Sequence, residues 1–576
     1  MENLRIILLK YALLNAMKHD GKAMPNPVVN NVIAERPELR EKVKELYKLA
    51  GQVVSEVNSW TPSQQRKELE SRWPELLAEK REESKEKRLP PLPNVERFPQ
   101  VRTRFAPNPD GPLHLGNARP IILCKEYARM YNGRFILRYE DTSPEIKAPM
   151  IKAYDWIMED LRWLDAEPDE VYIQSDRLEI YYKYAEELVS QGSAYVCTCE
   201  PEKFKALYLE KKPCPCRDLP PEVQLERWKR MLDGTYGKGE AVMRIKTDIA
   251  HPNPAIRDWP ALRIRTTTHP RVGRRYRVWP LYNFSCAIDD HEMRISHIIR
   301  GKEHESNTVR QRYLYRHMGW EYPEIINVGR LGLESGILSK SKIRAGIEKG
   351  LYTGWDDPRL GTLTALRRRG IQPEAIRALM IEVGPKPINA TLSLGNIASA
   401  NRAVVEPKAR RYFFVVNPIV LEVRAVPHEF NPKILLHPDH PDLGTRDYKI
   451  TPREGNSKFF ISREDEKLFG EGSVLRLMGL FNVKIFEVQK ELVEAEYLSE
   501  SYSEARSAGA PLIHWLPYNS GVPAKAVMPD AASVEGLAED LCRGLKPDTV
   551  IQFERFGFVR VDSVSEEGIT VYFAHR

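Results

Sequence analysis

Apolar residues recur every three to four positions through the first part of the chain. "RIILLKYALLNAMKH", "PELREKVKELYKLAGQVVSEVNSW" and "TPSQQRKELESRWPELLAEKREE" each gather them on one face, the period of an amphipathic helix. They predict an N-terminal helical domain over residues 1–97, with Thr61 ahead of Pro62 capping the third helix. "KREESKEKRLPPLPNVERFP" then reads as a charged helix end running into a Pro-rich linker. From residue 101 the period shortens. "VRTRFA" and "GRFILRYED" are β-type runs flanking a helical stretch, and that alternation predicts a parallel α/β domain. More strands are expected at "EMRISHIIRG" and "EIINVGRL", with "ESNTVRQRYLYRHMGW" as a helix between them. "DPRLGTLTALRRRGIQPEAIRALMIEVG" returns to helix. Past residue 405 the pattern turns β in "RRYFFVVNPIVLEVRAV", "GSVLRLMGLFNVKIFEV", "APLIHWLP" and "FVRVDSV", which suits two small barrels or one elongated one.

Length adds that 576 residues exceed what one core can hold, so roughly three to five domains are expected. Charged residues make up 29%, and no apolar run approaches the ~20 residues that span a bilayer. The opening "MENLRIILLKYALLNAMKHDGK" is interrupted by Lys10, Lys18 and Asp20 and lacks a small-residue cleavage site. An amphipathic helix fits it better than a signal peptide, so a cytoplasmic protein without a membrane partner is expected. The net charge of +7 is modest, but its distribution is uneven. Between Leu262 and Ile288 there is no acid, while Arg263, Arg265, Arg271, Arg274, Arg275 and Arg277 all fall there. Such a strip is either a solvated basic face or a phosphate-contacting surface.

Three stretches carry candidate chemistry. "RFAPNPDGPLHLGN", residues 104–117, is a tight Pro/Gly turn between a strand and a helix. That arrangement offers unsatisfied backbone amides and a partial positive charge to an anion. His114 can donate to a phosphate oxygen, and Gly111 and Gly116 allow close backbone approach. "GRLGLESGILSKSKIRAGI" puts Lys340 and Lys342 on a small-residue loop after a strand, where flexible cations can neutralise a transferring phosphoryl group. "CTCEPEKFKALYLEKKPCPC" packs Cys197, Cys199, Cys214 and Cys216 into one segment. In a reducing compartment this favours a tetrahedral thiolate zinc site over disulfides, with reduced unligated thiols as the alternative. Cys124, Cys286 and Cys542 are isolated and read as buried small residues.

"HLGN" resembles the HIGH signature, and "ILSKS" the KMSKS signature, of class I aminoacyl-tRNA synthetases. "RFAPNPDGPLHLGNARP", "FILRYEDT", "WPLYNFSCAIDDHE", "IIRGKEH" and "WDDPRLGTLTALRRRGIQPEAIR" resemble the glutamyl/glutaminyl branch, especially its archaeal glutamyl members. Two positions depart from the signatures: the second histidine of HIGH is Asn117, and the first lysine of KMSKS is Ile337. The resemblance implies a multidomain α/β enzyme. A Rossmann-like catalytic domain would occupy 98–172 and 278–345, interrupted by an acceptor-stem-binding insertion with the cysteine knuckle over 173–277. A helical connecting domain would follow over 346–404, then an all-β barrel anticodon-binding region over 405–576.

The resemblance also implies ATP-dependent activation of L-glutamate and its transfer to tRNA(Glu), and leaves open tRNA(Gln) as a second acceptor, for which an amidotransferase would complete the work. Glutaminyl-tRNA synthesis is the alternative. Mg²⁺ would accompany ATP, and Zn²⁺ would be structural. By matching motifs, His114, Gly116, Asn117, Arg330, Leu331, Ser339 and Lys340 would hold ATP, with His114 and Lys340 stabilising its phosphates in the transition state. Arg104, Ala106, Asn108, Glu140, Tyr282 and Arg300 would hold glutamate. Asp141 competes with Glu140 for the substrate's ammonium. Arg300 ends the apolar run "HIIRG", where a buried guanidinium is costly without an anion. It would grip either the substrate's γ-carboxylate or, structurally, Glu303 or Asp289. Arg271, Arg274 and Arg275 would contact the tRNA acceptor end, and Arg411 would stand at the barrel entrance.

Overall fold

A computed structural model describes residues 2–18, 21–36, 39, 43–73, 89–334 and 336–576. The chain divides into two compact units, residues 1–88 and 89–576.

The first unit contains the helices Glu2–Lys18, Pro25–Glu35, Val43–Ser59 and Pro62–Arg72. Leu8, Leu13, Val28, Val32, Val53 and Val57 interlock at their centre, each fully or almost fully removed from solvent. Thr61 caps the fourth helix as its sequence predicts. Its hydroxyl accepts from Gln64 N, and Gln64 Oε1 accepts from Thr61 N at 2.9 Å, satisfying two amides at once. The helix ends at Trp73, before Pro74; the expected continuation "PELLAEKREE" and most of the linker lie outside the described residues. The helix Pro25–Glu35 escapes the periodicity reading because its two prolines and three asparagines dilute the apolar stripe. Pro25 nevertheless sits in its first turn, where a missing N–H costs nothing.

In the second unit, Arg102–Phe105, Arg134–Tyr139 and Glu170–Ile173 form a parallel sheet in that order. The helix Leu115–Met130 makes the crossover between the first two. His297–Gly301 pairs in parallel with Glu324–Val328 and joins the first strand through Ser296 N, which donates to Arg102 O at 3.0 Å. Only the second half of "EMRISHIIRG" is strand. Glu292 still belongs to the helix Tyr282–Glu292, and the turn is made at Arg294 with φ 52°. Between the two halves of this parallel core lies an antiparallel sheet ordered Ala194–Cys197, Val242–Ile245, Pro260–Ile264, Val278–Pro280. Met243 and Ile245 enter a core with Trp228 and Trp279, which turns Val242 and Arg244 outward by strand alternation. Three helices, Leu363–Arg368, Pro373–Val383 and Leu394–Val405, lead to the C-terminal region.

That region holds two seven-stranded sheets. The edge strands of one are Arg411–Tyr412 and Phe414–Val416; those of the other are Leu512–Ile513 and Trp515–Pro517. In each case the two edges are consecutive pieces of chain, so each sheet curls until it almost meets itself, which protects its edges. The segment 412–416 serves both barrels. Phe413 and Val415 enter one core while Tyr412, Phe414 and Val416 enter the other. Among the described residues no helix is long and apolar enough to cross a membrane.

Candidate active site

A cavity of about 850 Å³ opens at the C-terminal ends of the parallel strands, lined by Arg104, Ala106, Asn108, Glu140, Tyr282 and Arg300 together with residues of the antiparallel sheet. The loop after Arg102–Phe105 forms one wall. His114 takes the N-cap position of the helix that follows, with extended backbone, and Asn117 Oδ1 accepts its N–H at 3.1 Å. Asn117 therefore serves the helix start, a task its amide can perform. His114 is held neutral: burial, reinforced by the neighbouring Lys340 cation, brings it down to about 4. Its Nδ1 is buried without a hydrogen-bond partner. Gly116 lies against Leu331, and a Cβ there would stand 3.3 Å from Leu331 O and 3.0 Å from the His114 ring. Arg330 N is held by Asn389 Oδ1 at 2.9 Å, while its guanidinium is exposed, 3.7 Å from Glu303.

Lys340 opens the helix Lys340–Glu348, with Ser339 in the N-cap position and Lys342 exposed. Lys340 Nζ donates to Asp110 Oδ1 at 2.9 Å and to Gly111 O at 3.1 Å. The two signature segments thus meet. A third segment braces both. Leu115 N donates to Gly361 O and Leu363 N to Leu113 O, while Gly361 N donates to Ile337 O. Nothing in the pattern of "DPRLGTLTAL" points to that task.

At the other end, Arg138 is completely buried. It donates to Asp290 Oδ1 at 2.6 Å and to Glu140 Oε1 at 3.0 Å, while Arg104 reaches the same Asp290 at 3.1 Å. Burial raises the Glu140 carboxyl above its usual range, against the pull of Arg138. Asp141, its rival in the sequence, is spent elsewhere. It accepts from Ser175 N at 2.8 Å and from Tyr154 OH at 2.6 Å. Glu140 is the carboxylate that faces the cavity, and Asn108 Nδ2 fixes its backbone carbonyl at 2.9 Å.

Arg300 is 6% exposed. Its Nη2 donates to Thr308 Oγ1 at 2.7 Å and Gln311 Oε1 at 3.0 Å, its Nη1 lies 3.5 Å from Tyr282 OH, and its Nε has no partner. Neither acid named as a structural partner reaches it. Asp289 accepts from Arg177, Gln174 and Tyr181, and Glu303 stands by Arg330. Among the described residues, the guanidinium buried at the cavity wall has neutral partners only.

The four clustered cysteines are unbonded, and their sulfurs all lie within 4.8 Å of one another. Cys197 and Cys214 are 3.9 Å apart, Cys199 and Cys216 3.6 Å. Tetrahedral zinc with Zn–S of about 2.3 Å separates its sulfurs by about 3.8 Å, so the donor set fits that ion. Cys124, Cys286 and Cys542 are buried singly.

The arginine strip does not act as one surface. Arg271 forms a two-pronged ion pair with Asp176, both contacts at 3.1 Å. Arg274 and Arg275 are exposed beside a separate crevice with Tyr276 and Glu179. Arg263 does line the main cavity and has no carboxylate partner among the described residues. It is joined there by Arg244, which no reading of the strip includes because it lies on the neighbouring strand. Arg244 stacks over Phe204 with Cζ 3.5 Å from the ring centre. Arg411 is half-buried at the first barrel strand, 3.9 Å from Glu406.

Comparison with known proteins accounts for this architecture. The family model described as the catalytic domain of class I tRNA synthetases (E and Q) matches residues 100–407. Two models of the anticodon-binding domain of the same class match 409–499 and 512–562. The chain is 52% identical over 579 residues to the glutamate–tRNA ligase of Thermococcus onnurineus (strain NA1), covering all of both chains. It is 53% identical over 575 residues to that of Pyrococcus abyssi (strain GE5 / Orsay), covering 99% of each. It is 44% identical over 575 residues to that of Methanopyrus kandleri (strain AV19), covering all of this chain and 99% of the relative.

Proposed function

Since the chain belongs to the glutamate and glutamine branch of the class I tRNA synthetases, we propose that it is a glutamate–tRNA ligase whose amino-acid specificity rests on Arg300. The observation that carries this reading is the buried guanidinium without a carboxylate partner. A γ-carboxylate entering beside Tyr282 would supply the missing charge through charge-assisted hydrogen bonds. A glutamine amide would leave the cation uncompensated. At the opposite end of the amino acid, Glu140 would hold the α-ammonium. Ala106 and Asn108 would complete the wall, with Arg104 kept in place by Asp290.

The α-carboxylate oxygen would then attack the α-phosphorus of MgATP, and the bond to the bridging oxygen would break to release pyrophosphate. In the second step the 2′-hydroxyl of the tRNA's terminal adenosine would take the glutamyl group and AMP would leave. The enzyme's own part is positioning and charge stabilisation. Neutral His114 would donate to a phosphate oxygen and Lys340 would neutralise the departing charge. The backbone amide of Gly116 and the side-chain NH2 of Asn117, with Ser339, would frame the phosphates, and the backbone at Arg330 and Leu331 would flank adenine.

Arg244 and Arg263, at the cavity mouth and without a carboxylate partner among the described residues, would meet the phosphates of the tRNA's unpaired 3′ end. Arg271, Arg274 and Arg275 would act further out, and the two barrels, entered past Arg411, would read the anticodon by base edges and shape. Zn²⁺ held by Cys197, Cys199, Cys214 and Cys216 would be structural, since four thiolates leave no open position. It would fix the helix Pro201–Leu209, whose Phe204 and Tyr208 line the same mouth.

Charging assays with glutamate and with glutamine, on purified tRNA(Glu) and tRNA(Gln), test the reading. Glutamate is expected to be the amino acid used; preference for glutamine would reassign the protein to glutaminyl-tRNA synthesis. Charging of tRNA(Gln) with glutamate would call for an amidotransferase partner.

A further inference from the structure

We infer that Asp110 is a positioning residue for Lys340, anchoring its ammonium beside His114 so that one N–H remains for a phosphate oxygen. The inference rests on the reading of Lys340 as a phosphate-facing cation, and goes beyond it in naming what keeps that cation charged and aimed. An ammonium has three donors. In Lys340 two are taken, by Asp110 Oδ1 at 2.9 Å and by Gly111 O at 3.1 Å, leaving the third. The anchor has a second tie, because Arg344, one turn further along the Lys340–Glu348 helix, donates to the Asp110 carbonyl. One residue of the Pro/Gly turn thus holds two cations of the lysine-bearing helix.

Asp110 is also the anion that suits the task. The groups facing Lys340 are Asp110 and His114 on the turn, Asp160 on the helix Ile151–Trp163, Lys147 on the preceding loop, and Arg344 on its own helix. His114 is neutral, and Lys147 and Arg344 repel. Asp160 accepts from Leu113 N at 2.9 Å, and burial, only partly offset by that bond and by Arg367, pushes its carboxyl up to about 7. Around neutral pH Asp160 is therefore a divided charge. Asp110 remains as the counter-ion of an ammonium that burial draws down from its ordinary value.

Asp110→Asn keeps an acceptor oxygen at the same reach and removes only the charge. An opposite charge at this distance moves a pKa by about 1–3 units, and loss of it lowers the Lys340 pKa further. The pH profile of kcat/KM for ATP reports the free enzyme, measured by glutamate charging at saturating tRNA. Its alkaline limb should move to lower pH by about one unit in the variant, giving a roughly ten-fold loss on that limb that shrinks toward lower pH. Asp110→Glu should restore the parental limb, and KM for glutamate should not change in either variant. A uniform loss at every pH, or an unshifted limb, would overturn the inference by showing the contact to be merely structural or idle. If the parent protein does not charge tRNA with glutamate at any pH, the failure is that of the proposed function.

Discussion

Arg138 and Asp290 meet at 2.6 Å with neither side chain reaching solvent. Asp290 also receives Arg104, so one carboxylate holds Arg104 on the cavity wall and Arg138 behind it. Burial alone would raise the Asp290 carboxyl, but the two guanidiniums overcome it and take it down to about 2. A group depressed in this way stabilises the fold above its unfolded pKa, and that stabilisation fades as pH falls toward 2.

Asp290→Asn should therefore be strongly destabilising, by about 3–5 kcal/mol, because it strands buried cations. Chemical denaturation at pH 7 measures it. The difference between variant and parent should shrink as the pH is lowered from 5 to 3; a constant difference across that range would contradict the linkage.

Arg300→Gln should reduce kcat/KM for glutamate by about 30-fold or more, the ~2 kcal/mol lower end for truncating one member of a buried charge pair. KM for ATP should hold. Competition charging should show the glutamate-to-glutamine ratio falling. An unchanged ratio would mean that the guanidinium does not read the γ-carboxylate.

One zinc ion per chain is expected by elemental analysis. Its removal by a strong chelator, or Cys216→Ser, should loosen the helix Pro201–Leu209 and weaken tRNA charging. Cobalt substitution should give the intense thiolate-to-metal absorption of a four-sulfur site. Metal-free protein with full tRNA affinity would show the cluster to be a set of reduced thiols.

Arg263→Gln should weaken tRNA binding and lower the slope of log affinity against log salt by about one, the signature of a lost phosphate contact. The loss should disappear with a tRNA trimmed of its single-stranded 3′ end. Arg271→Gln should change the slope less, because Asp176 already neutralises that side chain. Equal effects from both would return the arginine strip to a diffuse basic face.

Local order was open to reading along the chain. The Thr61–Pro62 cap and the helix start at His114 each depend on neighbours a few residues away, and so does a motif such as "HLGN". The β character after residue 405 was equally plain. The division into two barrels was not, because it turns on Tyr412 and Phe413 entering different cores.

Charge pairing belonged to the tertiary structure alone. Arg138 and Asp290 are 152 residues apart; Asp141 is claimed by Ser175 and Tyr154, which leaves Glu140 to the cavity. Asp289 is drawn away to Arg177, and Arg300 is left with neutral partners. Hydrophobic period and turn chemistry are set by backbone geometry over a few bonds. Which acid neutralises which base depends on the side chains that distant segments bring within a few ångströms, and on the water they shut out.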